Sequence, residues 1–364
     1  MNLSDKNKKN ADSCRFCWMC RHICPIGNAT GQERNTSRAR MLALSMVVRG
    51  SAELTPDLVD NLYECAGCNA CTHECVTGWD PVAATKEARL QAAMEGKTPE
   101  YIRKMIDNCM NTGNPYGEKE LAPSLQAAVK AHEAKTNTLF YLGSDAKYRA
   151  PEDAANAIKL LEKAGVSFTV LADEPDSGAA MEFMVGKADE TVQMMKKAVA
   201  AMNEFNNVIV YEPMDAKVVF MRYEEWNLGL TAKTVLFPVY VAQLLEQGKL
   251  SVKKTEEKIT CQDSYILARD LEETESVRKV IDACGELNEM LLNRKATVLA
   301  GHLLMAEYMP EVIAKTAQRR LHEAEASGAQ TVVVATVAEK KAMAASESAL
   351  KVVTLEELVL EHMN

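Results

Sequence analysis

Nowhere in the 364 residues does an apolar run reach the eighteen or so positions that a membrane-spanning helix needs. The longest, 235–245, contains Pro238 and is short enough for a protein core, a weak candidate at most for peripheral membrane contact. The opening residues, MNLSDKNKKNADS, hold no apolar h-region, so no secretory leader is expected. Also missing are G-x-G-x-x-G, G-x-S-x-G and H-E-x-x-H, which removes the usual signatures of nucleotide binding, serine hydrolysis and zinc proteolysis. Net positive charge is confined to the first fifty residues: residues 1–50 carry a net +6 and the rest −15. An acidic body argues against nucleic acid as the main partner. Aromatics make up only 5%.

Cysteine, by contrast, is plentiful, with eleven in the chain. Thiols in the cytoplasm, where this chain is expected to work, stay reduced, so a disulfide framework is not the reading. Eight of them fall into two quartets. Cys14, Cys17, Cys20 and Cys24, followed by Pro25, read C-x2-C-x2-C-x3-C-P; Cys65, Cys68, Cys71 and Cys75 repeat the spacing with Val76 in place of the proline. Two-residue gaps let a tight loop aim three thiolates at three corners of one cube, while the fourth cysteine points away to another cluster. On that logic Cys14, Cys17, Cys20 and Cys75 hold one [4Fe–4S] cluster, and Cys65, Cys68, Cys71 and Cys24 hold a second. The competing reading, structural zinc, wants two C-x2-4-C pairs and has no place for the third cysteine of each run. Cys109, Cys261 and Cys284 stand alone and read as structural thiols.

Between the quartets, 33–49 reads as helix with Ala39, Leu42 and Met46 in period and Gly50 as its stop. Thr55 caps a second short helix through Glu64, with Pro56 in its first turn. Arg15, Arg21, His22, Arg34, Arg38 and Arg40 surround the first quartet; they would raise a cluster's potential, guide an acidic partner, or merely solvate a helix face. This N-terminal part resembles the all-helical two-cluster ferredoxin domain found in succinate dehydrogenase iron–sulfur proteins and in the C-type component of heterodisulfide reductases.

Helical pattern continues from Trp79, including 101–110, and ends in the turn-rich 112–117, with a domain boundary between 112 and 136. Short apolar strands then alternate with helices, the pattern of α/β units and parallel sheet. Strands are expected at 138–143, 166–171 and 207–211, with helices at 154–164 and 192–205. The order recurs: strand 258–261, helix 276–283, a helical turn near 290, strand 296–300, helix 310–326, strand 331–335, strand 352–353 and helix 355–362. Such recurrence suggests an internal duplication.

The whole chain resembles the iron–sulfur oxidoreductases with duplicated cysteine-rich CCG domains, among them heterodisulfide reductase subunits B and D, the glycolate oxidase iron–sulfur subunit and the anaerobic glycerol-3-phosphate dehydrogenase C subunit. The resemblance runs from the quartets through GNPYG at 113–117 to the strand–helix repeats. It implies an α+β fold: a helical two-cluster ferredoxin domain (1–125) followed by a duplicated α/β domain with repeats at 137–250 and 255–364. The family's repeat cysteines are gone. Gly143 precedes Ser144; Glu174-Pro175-Asp176-Ser177-Gly178 replaces the middle motif; Glu212-Pro213-Met214-Asp215 replaces C-P-x-C. In the second repeat Gln262-Asp263-Ser264-Tyr265, Leu299-Ala300-Gly301 and Thr336-Val337-Ala338-Glu339 take those places. Asp176, Glu212 and Asp215 are oxygen donors that could hold a hard cation, although polar replacement after loss of a site is the simpler reading.

The expected function is that of an iron–sulfur subunit of a multi-subunit oxidoreductase, passing electrons through two [4Fe–4S] clusters. The resemblance implies a flavoprotein dehydrogenase and other redox subunits as partners. The alternative is a catalytic disulfide or quinone reductase, which needs a further metal centre or reactive thiols in 137–364. A third reading makes the clusters redox switches of a sensor.

Overall fold

The computed structural model describes residues 3–14 and 17–363; Arg15 lies outside them. The cysteine-bearing part is built from helices α1 (Asp5–Ala11), α2 (Met19–Ile23), α3 (Pro25–Thr30), α4 (Ser37–Val48), α5 (Pro56–Tyr63), α6 (Ala70–His73), α7 (Pro81–Met94) and α8 (Glu100–Thr112). Capping side chains set several starts. Thr36 Oγ1 accepts from the Ala39 N–H at 3.3 Å and Thr55 Oγ1 from the Leu58 N–H at 3.3 Å, each satisfying a donor that the first helical turn leaves open. Thr36 therefore splits the expected 33–49 helix into a 3-10 turn, Glu33–Asn35, and α4. The buried face of α4 also differs from the periodic set read in the sequence: Met41, Leu44 and Val47 point inward, while Leu42 and Met46 are exposed.

Parallel strands follow in two sheets: β1 (Thr138–Tyr141), β2 (Asn207–Val210), β3 (Lys233–Leu236), then β4 (Lys258–Gln262), β5 (Glu286–Leu287), β6 (Thr331–Val334) and β7 (Lys351–Thr354). The first sheet is ordered β1-β2-β3, the second β5-β4-β6-β7. A single parallel bridge from Leu139 to Thr169 places an extended segment outside β1, where β5 stands beside β4. The two sheets thus share one order, as a duplication requires, with the first sheet's outer strand reduced to one bridge.

Three expected elements change. The 166–171 strand makes only that bridge, through Phe140 N to Thr169 O and Thr169 N to Thr138 O, both 2.8 Å. The helical turn near 290 gives way to β5. At 296–300 there is no strand; a 3-10 turn, Arg294–Ala296, leads into buried extended chain whose Val298 carbonyl accepts from Gln262 Nε2 at 3.0 Å. The apolar run 235–245 resolves into the end of β3 and a helix, Phe237–Glu246, with Pro238 in its first turn, where no N–H is needed. Phe237, Val241 and Leu244 are buried, so this segment is core and not a membrane contact. Among the described residues no helix is long and apolar enough to cross a membrane.

The cysteine-bearing helices and the α/β body share one hydrophobic core. It runs from Met41, Leu44, Val59 and Leu62 through Phe183 and Met184 to Tyr265, Leu299 and Ile313. Helix Ala179–Val185 is buried along its whole length and is the body's main contribution to this seam. Lys86 of α7 crosses to Glu182 on that helix at 2.6 Å, and Arg222 meets the same carboxylate at 3.0 Å. Helix Pro123–Ala131 packs instead against Pro151–Lys163, burying Leu125 and Val129 in the α/β core.

Although burial opposes it, attraction to Lys86, Lys217 and Arg222 holds the Glu182 carboxyl down at about 2, below its ordinary 4.5. A depressed folded pKa means that this carboxylate contributes stability above pH 4.5 and loses it as pH falls toward 2. Glu182→Gln leaves Lys86 buried without its counter-charge and is expected to cost about 3–5 kcal/mol in denaturant unfolding at neutral pH. The variant's loss relative to wild type should shrink as the pH drops through that window.

Candidate functional site

From the second cysteine to the third, both quartets take the same local shape. In each, the residue after the second cysteine is left-handed, Trp18 at φ 72° and Asn69 at φ 58°, and heads a short helix that carries the third cysteine, α2 or α6. Positive φ is uncommon outside glycine, and its recurrence at matched positions marks a common loop. Helices α2 and α6 pack on each other, which brings the two loops side by side. Cys24 ends α2 and caps α3, its sulfur accepting from the Gly27 N–H at 3.4 Å; the Cys65 sulfur accepts from Gly67 N–H at 3.4 Å.

The thiols group across the quartets. Cys14, Cys17, Cys20 and Cys75 line one small cavity together with Trp18, Arg38 and Trp79. Cys20 feels the charges of Cys14 and Cys17, whereas Cys24 feels those of Cys68 and Cys65, and Cys71 those of Cys65, Cys68 and Cys24. Among the described residues no three Cys, His, Asp or Glu side chains converge on a point suited to a single metal ion. Four thiols around one small cavity match in number the ligands that a cubane cluster takes, one per corner.

Burial raises the thiols of Cys20, Cys68 and Cys71 and pushes Cys24 up to about 11. Cys75 behaves differently: burial works to raise it, but the Thr77 hydroxyl and the Thr77 and Trp79 N–H groups hold it below the ordinary range. Buried thiols ionise only against a compensating charge, so cation binding here releases protons. No disulfide links any of the eleven cysteines.

Two arginines that the motif did not single out hold the second loop. Arg89, buried on α7, donates to the Leu62 carbonyl at 2.8 Å, the Cys65 carbonyl at 2.6 Å and the Phe183 carbonyl at 2.8 Å, and lies over the rings of Tyr63 and Phe183. Arg269, from the second α/β unit, donates to the Cys68 carbonyl at 2.7 Å and to the Thr297 carbonyl at 2.6 Å. Asn69 reaches Asp270 at 2.5 Å. The first loop is more open. Cys17, Trp18 and Met19 are exposed, with Arg38 4.0 Å and Arg21 5.1 Å from the Trp18 ring centre.

The expected basic cluster is largely neutralised. Arg21 and Arg38 both meet Glu33, at 2.7 and 3.1 Å, and Arg34 meets Asp57 and Glu64 at 3.0 and 3.3 Å. Arg40 is buried on the Asn61 and Asn35 carbonyls, and His22 is exposed. The three solitary cysteines are all buried in cores.

At the strand ends where the repeat thiols are missing, polar side chains satisfy one another. Glu174 accepts from the Leu142 and Gly143 N–H groups at 2.8 and 2.9 Å; Ser144 donates to Asp176 and Ser177 to Asp215. Burial raises the carboxyls of Asp176, Glu212 and Asp215. A Cβ at Gly143, which has φ 85°, would stand 2.0 Å from Asp215 Oδ2, so glycine is needed there. In the second unit Gln262 bridges Glu339, Val298 and Arg320, and Arg278 grips Asp263 through two bonds. Beside Glu212, Ser264, His302 and Glu339 lies a cavity of about 20 Å3, room for about one water.

Residues 10–79, which span both quartets, match the family of 4Fe–4S dicluster domains. That stretch therefore carries an iron–sulfur dicluster domain, and the chain has relatives among heterodisulfide reductase subunits. It is similar to the dihydromethanophenazine:CoB–CoM heterodisulfide reductase subunits D of Methanosarcina acetivorans and Methanosarcina mazei, 24% identical over 191 residues in each case. The match covers 48% of this chain and 46% of each relative, so the chain spans about half the length of the curated relatives it matches. Among solved structures, Picrophilus torridus aspartate racemase aligns over 62% of this chain and 92% of its own, at 9% identity and a TM-score of 0.29, a likeness too slight to bear on fold or activity.

Arg269→Ala removes the donor to the Cys68 carbonyl and should cost about 1–3 kcal/mol of local stability. The expected readout is faster bleaching of the iron–sulfur absorbance in air than in wild type. Arg34→Ala, which breaks an exposed pair, should bleach at the wild-type rate.

Proposed function

We propose that this chain is an electron-transfer subunit that carries electrons through two [4Fe–4S] clusters, one bound by Cys14, Cys17, Cys20 and Cys75, the other by Cys65, Cys68, Cys71 and Cys24. The observation that carries the reading is the crossed grouping of the thiols: each loop supplies three and lends its fourth to its neighbour. Such exchange keeps two clusters close enough for electrons to pass between them, and the cluster iron supplies the one-electron chemistry when bound. The protein's part is to fix the thiols, exclude water from the inner loop and direct hydrogen bonds at the sulfurs.

The two ends differ. The Cys17 side is open and carries the exposed apolar groups Trp18 and Met19, beside a cleft of about 480 Å3 lined by Arg21, His22 and Glu33. This favours the first cluster as the point of exchange with a partner, for which a flavoprotein dehydrogenase is our choice. The second loop rests on the α/β body, which serves as scaffold and docking platform toward other subunits. We read three units, 1–125, 137–250 and 255–364, with the linker helix Pro123–Ala131 packing on the second. Thiols free of disulfides accord with work in the cytoplasm. The mutual hydrogen bonding of Ser144, Asp176, Ser177 and Asp215 favours this conduit over a catalytic disulfide or quinone reductase.

Anaerobically purified protein should contain about eight irons and eight acid-labile sulfides per chain, as two cubane clusters require. The crossed ligand set makes a sharper demand. Cys24→Ala combined with Cys68→Ala should lose no more iron than either alone, whereas Cys24→Ala combined with Cys14→Ala should lose nearly all. The reverse pattern would assign each cluster to its own quartet and sink the crossed set.

A further inference from the structure

Ser37 is the first residue of α4, directly after the Thr36 cap; α4 packs against α2, which packs in turn against α6. Ser37 is 4% exposed, and its hydroxyl has no hydrogen-bond partner of good geometry. A buried hydroxyl left in that state costs stability, so its retention asks for a partner that the protein alone does not supply. Two thiols stand within its reach, and they belong to different groups. The hydroxyl faces Cys20, beside Cys14 and Cys17, and it also faces Cys71, beside Cys65 and Cys68.

A serine hydroxyl carries one hydrogen. It can donate to only one of the two sulfurs at a time, and turning about χ1 and the C–O bond moves that hydrogen from one to the other. Donation to a more negative acceptor is stronger, roughly twofold for an ionised partner against a neutral one. Hydrogen bonds to cluster sulfurs are among the protein's means of setting a cluster's potential.

Resting on the crossed ligand set above, we propose that Ser37 is a shared hydrogen-bond donor between the two clusters and turns toward whichever of them holds the added electron. No covalent bond forms or breaks, and the proton stays on Ser37. The first electron therefore gains the bond whichever cluster receives it. The second electron gains nothing further, because the single hydrogen is already in use. Ser37 thus widens the gap between the first and second reductions and favours a state holding one electron per chain, the state suited to stepwise transfer.

The test is an anaerobic dithionite titration of the full chain, followed by EPR, for wild type, Ser37→Ala and Ser37→Thr. Ser37→Ala should make the first reduction roughly tenfold less favourable, a fall of about 59 mV for one electron, and leave the second unmoved. Ser37→Thr keeps the hydroxyl and should keep both potentials. An equal fall in both steps, or no fall in either, overturns the shared donor. Should the alanine variant load poorly, the wild type in D2O decides. The one-electron state should lose one strongly coupled exchangeable proton from its ENDOR spectrum, and the lack of any such proton overturns the proposal. Iron and sulfide counts on the wild type keep the two ideas apart. Fewer than two clusters sinks the ligand set, while two clusters with unmoved potentials in Ser37→Ala sinks only the role of Ser37.

Discussion

Arg89 is the constraint on which the rest of the architecture hangs. Its guanidinium is buried, charged and planar, and it uses its donors on three backbone carbonyls from two parts of the chain. A buried cation that lost these acceptors would be strongly destabilising, so the second cysteine loop and helix Ala179–Val185 are tied to one position. Tyr63 and Phe183 close over its faces, and Tyr63 in turn donates to the Met184 carbonyl at 3.0 Å. The iron–sulfur half is for this reason not a bead on a linker. Its inner loop is part of the same packed interior as the α/β body.

This tie makes the two loops unequal although their backbones match. The first has surface side chains, a cation–π sandwich around Trp18, and ion pairs that satisfy its arginines locally. The second is gripped from two directions, by Arg89 through the Cys65 carbonyl and by Arg269 through the Cys68 carbonyl. The difference between the loops is one of burial: the first is reachable from solvent, the second is enclosed by the body. In the α/β body the strand ends of the first unit carry hydroxyls and carboxyls that bond to one another, Ser144 to Asp176 and Ser177 to Asp215, and such bonds rigidify a fold where the members are satisfied.

How much is legible in the residues follows from how local each feature is. Cluster spacing is a property of eleven consecutive residues, so both quartets stand out in the sequence. Helices with strong caps do too, as at Thr55 and at Leu355–His362, where Thr354 and Glu357 form a capping box. Strand positions are lost where an apolar run is extended but has no ladder partner, as at 166–171 and 296–300, because pairing is decided by distant chain. The face of α4 is ambiguous since 41, 44 and 47 compete with 39, 42 and 46 at the same period, and only the packed neighbours, among them α1 and α7, choose between them. Arg89 and Arg269 carry no signal at all. An arginine's meaning lies in the carbonyls it reaches, and these lie 24 and 201 positions away.

That last separation has a consequence for how the protein is made. The Cys68 carbonyl leaves the ribosome about 200 residues before the guanidinium that fixes it, roughly 10–40 s at ordinary translation speed. Throughout that interval the inner loop has its thiols but neither Arg269 nor, at first, the seat formed by helix Ala179–Val185. The ion pair of Arg38 with Glu33 at the outer loop is local and needs no such wait. On the proposed crossed set the last thiol, Cys75, emerges almost 200 residues before Arg269, so the inner loop must hold its shape through that interval without the clamp that fixes it in the finished protein.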